Sequence, residues 1–353
     1  MRWIISKLYS GIITLVEHGW IPDFLVQKGI SLLCKLRLNE EIIGGVELQY
    51  KNFTQRISNL KKSEIAIHTD IANKQHYEIP SQFFKLCLGK RLKYSCALYK
   101  NEKITLDEAE EEMLRLYEER ADLKDGQDIL ELGCGWGSLT LWLAERFPNS
   151  SITAVSNSSS QKEYIEQECT LRNLINVKVI TCDVNNLILH SASFDRCISI
   201  EMFEHMRNYE LLFSHIEEWL RPSGKLFVHI FCHRTLLYPF ETTGNTNWMG
   251  RYFFTGGLMP SSDTLLFFQG NLRIEERYLV NGLHYYKTCN DWLINQDKHR
   301  NEIIDLFKKT YGHDKATVWF NRWRMFYMAC AELFRYDNGN QWMVAHYRFV
   351  KEE

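Results

Sequence analysis

The stretch ILELGCGWG, at residues 129–137, decides the fold of this chain. Its first four residues predict a short buried strand, and a helix is expected after the last glycine. Gly133, Gly135 and Gly137 permit a tight turn and let the backbone approach a ligand closely. Such turns lie at the carboxyl edge of a parallel sheet, where cofactors bind. We therefore expect a cofactor site here.

The spacing of these glycines excludes a dinucleotide site of the GxGxxG type, which would present a helix N-terminus to a pyrophosphate. It resembles motif I of class I S-adenosylmethionine methyltransferases, whose cofactor carries no phosphate. Taken alone, the turn could also be only a tight link between a strand and a helix. The assignment therefore depends on the residues around it.

Outward from the turn, short apolar runs alternate with amphipathic stretches. A capped helix is predicted from Thr105 to Leu123, before the first strand. Strict alternation predicts right-handed parallel crossovers, and so a class I, Rossmann-like, doubly wound α/β sheet closed by a final antiparallel pair. The predicted strands are 128–132, 151–156, 177–182, 194–200, 225–231, 272–280 and 342–350, with further helices between 290 and 333.

Two regions are expected. Residues 1–100 form a helical N-terminal extension that contributes to the active site, and residues 101–353 form the methyltransferase core. Within the core, an insertion at about 233–285 is rich in aromatic residues and glycine near its start. We interpret it as a cap over the open edge of the sheet.

Composition limits the partners. Acidic and basic residues number 44 and 42, so no field of one sign indicates binding to nucleic acid or to an anionic membrane. Ten scattered cysteines without CxxC pairs argue against a metal site and a disulfide framework. We therefore expect a cytoplasmic protein with no metal, a small-molecule partner and, by default, a homodimer.

The N-terminus contains apolar residues on one helical face, but no run long enough to span a membrane. An amphipathic docking helix is the simpler interpretation, and binding to a membrane surface without stable insertion is the alternative. The residues on this face are Ile4, Leu8, Ile12, Ile13 and Val16.

Polar residues at the ends of the second and third strands are candidate cofactor ligands. Asp183 can accept a hydrogen bond from an adenine amino group, and the alternative is a solvated strand-end carboxylate or a helix cap. Asn157 and Gln161 stand where most class I enzymes use an acid on the ribose. As neutral groups they can still bind hydroxyls, or they could serve the turn and the helix start.

At Ile200-Glu201-Met202-Phe203-Glu204-His205-Met206 the chain resembles a known family. It looks like coclaurine and pavine N-methyltransferases, plant enzymes of benzylisoquinoline alkaloids, which are related to cyclopropane fatty acid synthases. The matching stretches run from residue 76 to 349. They are HYEIP, KYSCALY, LDEAE, ELGCGWGSL, EMFEHM, FVHIFCH, RYFFTGGLMPS and WMVAHYRF.

The resemblance implies S-adenosyl-L-methionine as the cofactor and a small amine as the acceptor. It also implies which residues contact the cofactor, and we add Glu131 and Gly137 from the motif itself. The full set is Tyr94, Ser95, Glu131, Gly133, Gly135, Gly137, Asn157, Gln161, Asp183 and Val184.

The spacing of Glu201, Glu204 and His205 would put all three on one side of a helical turn after the fourth strand. Two carboxylates beside an imidazole can attract an ammonium and then accept its proton. Alternatively, they could cap a helix and pack in a satisfied network. The family's catalytic Glu and His match Glu204 and His205.

Aromatic side chains are candidates for an acceptor pocket, because ring faces attract cations. Phe254, Trp323 and Phe334 are named on this ground, although most aromatic residues are core. Tyr77 and Glu78 match acceptor-pocket positions in the family, or they form only a loop before Pro80.

The chief rival function is lipid chemistry. Cyclopropane synthases share the cofactor, the fold and the FEH triplet, but they usually carry glycine two positions before its phenylalanine. This chain has Glu201 there, which suits a cationic acceptor better than an alkene. A catalytically idle binding protein is the second alternative, disfavoured because the glycine turn, the acid and the base cluster are all present.

Overall fold

A computed structural model describes residues 11–67, 79–244 and 247–352. Its centre is a seven-stranded sheet with the order β3-β2-β1-β4-β5-β9-β8. Strands β1 to β5 pair in parallel, and β9 pairs antiparallel with both β5 and β8. The expected doubly wound sheet with a final antiparallel pair is confirmed.

The strands begin and end close to the predicted positions. Only β5 is clearly longer, because Leu220 already pairs with Phe194 before an irregular segment that includes a positive φ at Ser223. Regular pairing then starts at Lys225, as predicted. The strands are β1 Asp128–Leu132, β2 Ser151–Ser156, β3 Val177–Thr181, β4 Phe194–Ile200, β5 Leu220–His233, β6 Tyr238–Pro239, β7 Leu258–Met259, β8 Arg273–Val280 and β9 Trp342–Val350.

Helices precede the sheet, connect its strands and fill the gap between β8 and β9. The helix before β1 begins with the predicted cap, since Thr105 and Glu108 exchange hydrogen bonds in a capping box. The helices are α1 Asp23–Glu41, α2 Gly45–Leu60, α3 Ser81–Cys87, α4 Leu106–Arg120, α5 Ser138–Arg146, α6 Ser159–Leu171, α7 Tyr209–Trp219, α8 Trp248–Tyr252, α9 Leu283–Lys298, α10 Arg300–Tyr311 and α11 His313–Arg335.

Both faces of the sheet are buried, because successive side chains of a strand point to opposite faces. Ile129 packs into the cluster on one face with Leu143 of α5. Its neighbour Leu130 packs into the other cluster with Phe213 of α7. Helices therefore cover both faces of the sheet and leave the carboxyl ends of its parallel strands accessible at one edge.

The region expected to form a cap contains little regular structure before β8. Strands β6 and β7 form a small antiparallel ladder of their own, and α8 lies between them in the chain. The expected boundaries of about 233–285 also take in β8, which belongs to the edge of the main sheet. The segment without main-sheet pairing is therefore shorter than the sequence suggests.

The described part of the N-terminal extension contains helices and packs on the last long helix. Residues 11–17 are helical, and α1 follows them. Arg324 of α11 binds Asp23 at the start of α1, and Arg322 binds Glu17. Ile4 and Leu8 lie outside the described residues, and of the remaining helical face Val16 is buried while Ile12 is exposed. Nowhere in the described ranges is a helix long and apolar enough to cross a membrane.

Candidate active site

A cavity opens at the carboxyl edge of β1, β2, β3 and β4. It is lined by most of the residues predicted from the sequence. These are Tyr94, Ser95, Glu131, Gly133, Gly135, Asn157, Gln161, Asp183, Val184, Glu201 and His205.

The three motif glycines have different roles. All have positive φ, of 81°, 52° and 77° for Gly133, Gly135 and Gly137, which disfavours other residues. A Cβ on Gly135 would meet no atom within 4 Å, so its backbone faces open space in the cavity. A Cβ on Gly137 would lie 2.8 Å from Ile165, outside the cavity lining. Gly137 therefore serves the close packing of α5 against α6.

Unsatisfied polar atoms point to a ligand beside this turn. The Nε2 atom of Gln161, the Oγ atom of Ser138 and the Nε1 atom of Trp136 are buried and have no hydrogen-bond partner within the described ranges. All three residues line the cavity. Since buried polar atoms are normally paired, these donors fit a ligand with several acceptor atoms, such as a nucleoside. Sequence reasoning named Gln161 but missed Trp136 and Ser138.

The strand-end polar residues serve local structure as well as the cavity. Asp183 Oδ1 accepts a hydrogen bond of 2.8 Å from the Asn185 amide and caps the short 3-10 helix Val184–Asn186. Gln161 Oε1 accepts 2.6 Å from Ser156 Oγ. The same side chains that close these turns therefore also line the cavity.

Glu131 is a buried carboxyl group in the cavity lining, just before the glycine turn. It is 2% exposed, and its Oε2 accepts a hydrogen bond from the Thr140 hydroxyl. Burial raises the pKa of Glu131 to about 8, against the lowering effect of that bond. A cationic ligand group close to Glu131 would favour the deprotonated, charged form of this carboxyl.

Glu201 also lines the cavity, and several hydrogen bonds hold its carboxyl group. Its Oε1 accepts from the Cys96 amide and lies 3.0 Å from His229 Nε2, and its Oε2 accepts 2.6 Å from the Tyr285 hydroxyl. The carboxyl is 8% exposed. Burial raises its pKa, while the positive charge of Lys93 works against that rise. The site thus contains a desolvated carboxyl surrounded by donors.

Glu204 and His205 do not share one helical face with Glu201. Glu201 has a positive φ of 49°, and only Phe203–His205 form a turn of 3-10 helix. His205 lines the cavity, and burial lowers its pKa to about 4, so it is neutral at pH 7. Glu204 is fully buried outside the lining, and its Oε1 accepts 2.7 Å from the Phe231 amide. Burial, followed by the charge of Glu201, raises the pKa of Glu204 well above its usual value.

The predicted aromatic residues lie behind the cavity. Phe254 stacks on His205 with a centroid distance of 5.6 Å and an interplanar angle of 6°. Phe334 stacks on Tyr285, which holds Glu201, at 4.3 Å. Trp323 is fully buried against Phe84 and other rings. None of the three predicted residues is part of the lining. Tyr77 and Glu78 lie outside the described residues.

Lys93, His229 and Tyr285 were missed as functional candidates. Lys93 is buried, its Nζ donates to Ser95 Oγ and to the Cys96 carbonyl, and burial lowers its pKa to about 8. His229 stands within the apolar strand β5, and a histidine in such a run is a visible signal. Tyr285 carries no such signal in the sequence.

Metal-ligand clusters and disulfides are both absent from the described ranges. No group of three or more His, Cys, Asp or Glu side chains there could hold a metal ion. The ten cysteines are all free thiols.

Comparison with known proteins fits this geometry. Residues 66–344 match the family model "Mycolic acid cyclopropane synthetase". The chain is 38% identical to (S)-coclaurine N-methyltransferase from Thalictrum flavum subsp. glaucum, over 96% of this chain and 94% of that relative. It belongs to this family of S-adenosylmethionine-dependent methyltransferases.

Two further family members resemble nearly the whole chain. Pavine N-methyltransferase from Thalictrum flavum subsp. glaucum is 34% identical over 98% of both chains. A crystal structure of coclaurine N-methyltransferase, bound to N-methylheliamine and S-adenosylhomocysteine, superposes with a TM-score of 0.93 at 37% identity. That match covers 97% of this chain and 99% of the other. The resemblance inferred from the sequence motifs is confirmed, and so are the fold and the cofactor class.

Proposed function

We propose that this methyltransferase transfers a methyl group to the nitrogen of a small secondary or tertiary amine. The observation that carries this proposal is Glu201, a buried carboxyl that lines the cavity and accepts hydrogen bonds from Cys96, Tyr285 and His229. A desolvated carboxylate stays ionised only with hydrogen-bond donors and compensating positive charge, and Lys93 already supplies part of that charge. A bound ammonium would add to that charge.

The cofactor end would be formed by the glycine turn and the ends of β2 and β3. Gly135 leaves room for the ligand, and Gln161, Ser138 and Trp136 supply unsatisfied polar atoms. Tyr94, Ser95, Glu131, Gly133, Asn157, Asp183 and Val184 complete the proposed set. S-adenosylmethionine, when bound, supplies the electrophilic methyl group.

The acceptor end has to bind a cation and remove a proton. An alkylamine resembling lysine has a pKa of about 10 and is mostly protonated at neutral pH, so it lacks a lone pair for attack. Glu201 would attract the ammonium. Neutral His205 lines the same cavity and can accept the proton directly or through water.

Glu204, Phe254 and Phe334 lie outside the cavity lining and would act through the residues that line it. Glu204 holds the turn that carries His205 by accepting from the Phe231 amide of β5. Phe254 fixes the plane of the His205 ring, and Phe334 fixes Tyr285. We therefore assign these three side chains to positioning. Tyr77 and Glu78 stay candidates for acceptor contacts, on the family resemblance alone.

Lipid cyclopropanation is the competing function, because the matching family model is named for a cyclopropane synthetase. Incubation of the enzyme with methyl-labelled cofactor, a panel of amines and unsaturated phospholipid vesicles separates the two by mass spectrometry. Label on an amine nitrogen supports the proposal. Label found only as cyclopropane in acyl chains would overturn it. The Gly135→Val variant, in which the added side chain fills the cofactor space, is the blank.

A further inference from the structure

A chain of hydrogen bonds crosses the sheet behind Glu201 and ends at Arg120. His229 of β5 and His346 of β9 face each other across the antiparallel ladder, and both are fully buried. Glu201 Oε1 is 3.0 Å from His229 Nε2, and His229 Nδ1 is 2.9 Å from His346 Nε2. His346 Nδ1 is 2.8 Å from Nη1 of Arg120, at the end of α4.

The direction of every bond in this chain follows from Arg120. A guanidinium only donates, so His346 Nδ1 must accept. A neutral imidazole then carries its proton on Nε2, and His346 donates to His229 Nδ1. By the same argument, His229 carries its proton on Nε2 and donates to Glu201. Burial lowers the pKa of both imidazoles well below the usual value, so both rings are neutral.

We propose that Arg120 and His346 are positioning residues that fix the tautomer of His229 and thereby keep Glu201 an anionic anchor for the acceptor. The inference rests on the proposed function, because it explains how the cation-binding carboxylate is maintained. Neither residue is itself part of the cavity lining.

The groups around the chain agree with this direction. The Tyr117 hydroxyl also lies 2.9 Å from His229 Nδ1, and burial raises its pKa well above the usual value, so it stays a phenol. If it donates there, it shares the single lone pair of Nδ1 with His346 Nε2–H, which is 2.9 Å away. Without Arg120, however, the same oxygen could accept from a proton on Nδ1. His229 would then present a lone pair to Glu201, and the carboxyl would have to take up a proton. Arg120 excludes this reversed arrangement.

The chain also settles one route for the acceptor's proton. Outward transfer would require His346 to pass a proton from Nδ1 to the group beyond it. Arg120 stands there and has no acceptor atom. The branch through His346 therefore does not carry the proton outward, and His205, which lines the cavity, stays the proposed acceptor of the proton.

The test reads the tautomers directly. Nitrogen-15 NMR of histidine-labelled protein, loaded with S-adenosylhomocysteine and without any amine, distinguishes a protonated Nε2 from a protonated Nδ1. We expect Nε2–H on both His229 and His346 in the wild type, with assignments from His229→Gln and His346→Gln. A wild-type Nδ1–H on either ring would overturn the proposal. Because no acceptor is present, this result is independent of whether the enzyme methylates amines.

Kinetics supply the second measurement. Arg120→Met removes the donor, so both rings can exchange tautomers, and KM for a cationic acceptor should rise about tenfold with a smaller change in kcat. In Arg120→Lys the ammonium group can donate but cannot accept a hydrogen bond, as the guanidinium does. This variant should therefore show the wild-type tautomers and the wild-type KM. The matched control is Arg115→Met, since Arg115 is an exposed residue of the same helix. Unchanged tautomers and KM in a folded Arg120→Met enzyme would contradict the proposal.

Discussion

The substitution Glu201→Gln tests the cation anchor with the least change of shape. Gln keeps the size of the side chain and one acceptor oxygen, but it removes the negative charge. Its amide NH₂ would also face one of the donors from Cys96, Tyr285 and His229, so one buried hydrogen bond is lost. Affinity for the amine and stability of the fold should therefore both fall.

The charge effect can be estimated from the burial of the group. The Glu201 side chain is 8% exposed, so water screens it weakly. Two unit charges at about 4 Å attract by about 4 kcal/mol with an effective dielectric constant near 20. Desolvation of the ammonium offsets part of this. We expect about 3 kcal/mol to be lost, which is about a hundredfold in Kd.

Calorimetry on enzyme saturated with S-adenosylhomocysteine measures this loss. The ligand is the best tertiary amine of the panel, together with its quaternary methylated product, which has a fixed charge and no proton to give up. Glu110→Gln is the matched control, because Glu110 is a buried carboxyl that binds the amides of Gly89 and Arg91 outside the cavity lining. If Glu201→Gln bound the quaternary product within threefold of the wild type, the anchor role would be refuted.

The remaining predictions concern the cofactor and the proton. Gly135→Val should weaken binding of S-adenosylhomocysteine in calorimetry, because the added side chain enters the cavity. Gly137→Val should instead lower Tm, because its side chain meets Ile165 of α6. If both variants changed cofactor affinity and Tm equally, the two glycines would not have the separate roles assigned to them. Asp183→Ala should also weaken cofactor binding, by removing an acceptor, and unchanged affinity would place the adenine elsewhere. His205→Ala should keep cofactor binding and lose about 10²-fold in kcat, less as pH rises and deprotonates the free amine; a loss independent of pH would indicate orientation of the acceptor instead. Glu204→Gln should lose less than about tenfold in kcat, since burial and the charge of Glu201 raise the pKa of Glu204 and so disfavour its charged form. A larger loss would show that this charge is used.

The fold was predictable because its signals are local. Strands β1, β2, β4 and β9 have the predicted bounds, since short apolar runs between turn residues define buried strands. Thr105 and Glu108 mark a helix start by a rule that needs no tertiary information. The start of β5 was missed because its first pairing uses Leu220, before an irregular segment containing Pro222 and Gly224 that reads as a loop.

The site was predictable only as a list of residues. Sequence motifs identified Glu201, Glu204 and His205, but helical spacing suggested one shared direction. The left-handed conformation of Glu201 breaks that spacing, and no periodicity rule anticipates it. Tyr285 and His346 come from parts of the chain far from Glu201, and only the completed sheet and α9 bring them together. Their role is a property of the tertiary structure.

The backbone at Glu201 gives an independent argument for the role of its side chain. A φ of 49° suits glycine, the residue that cyclopropane synthases usually carry at this position, and it costs other residues roughly 1–2 kcal/mol. A conformation of this kind persists only where surrounding contacts hold it. Here the Glu201 amide donates to the His229 carbonyl, and the carboxyl is held by three donors. Glycine would fit this backbone without that cost, but it would leave the three donors without their acceptor. The retained carboxyl agrees with the proposed amine acceptor, because a bound ammonium would use its charge and a neutral alkene would not.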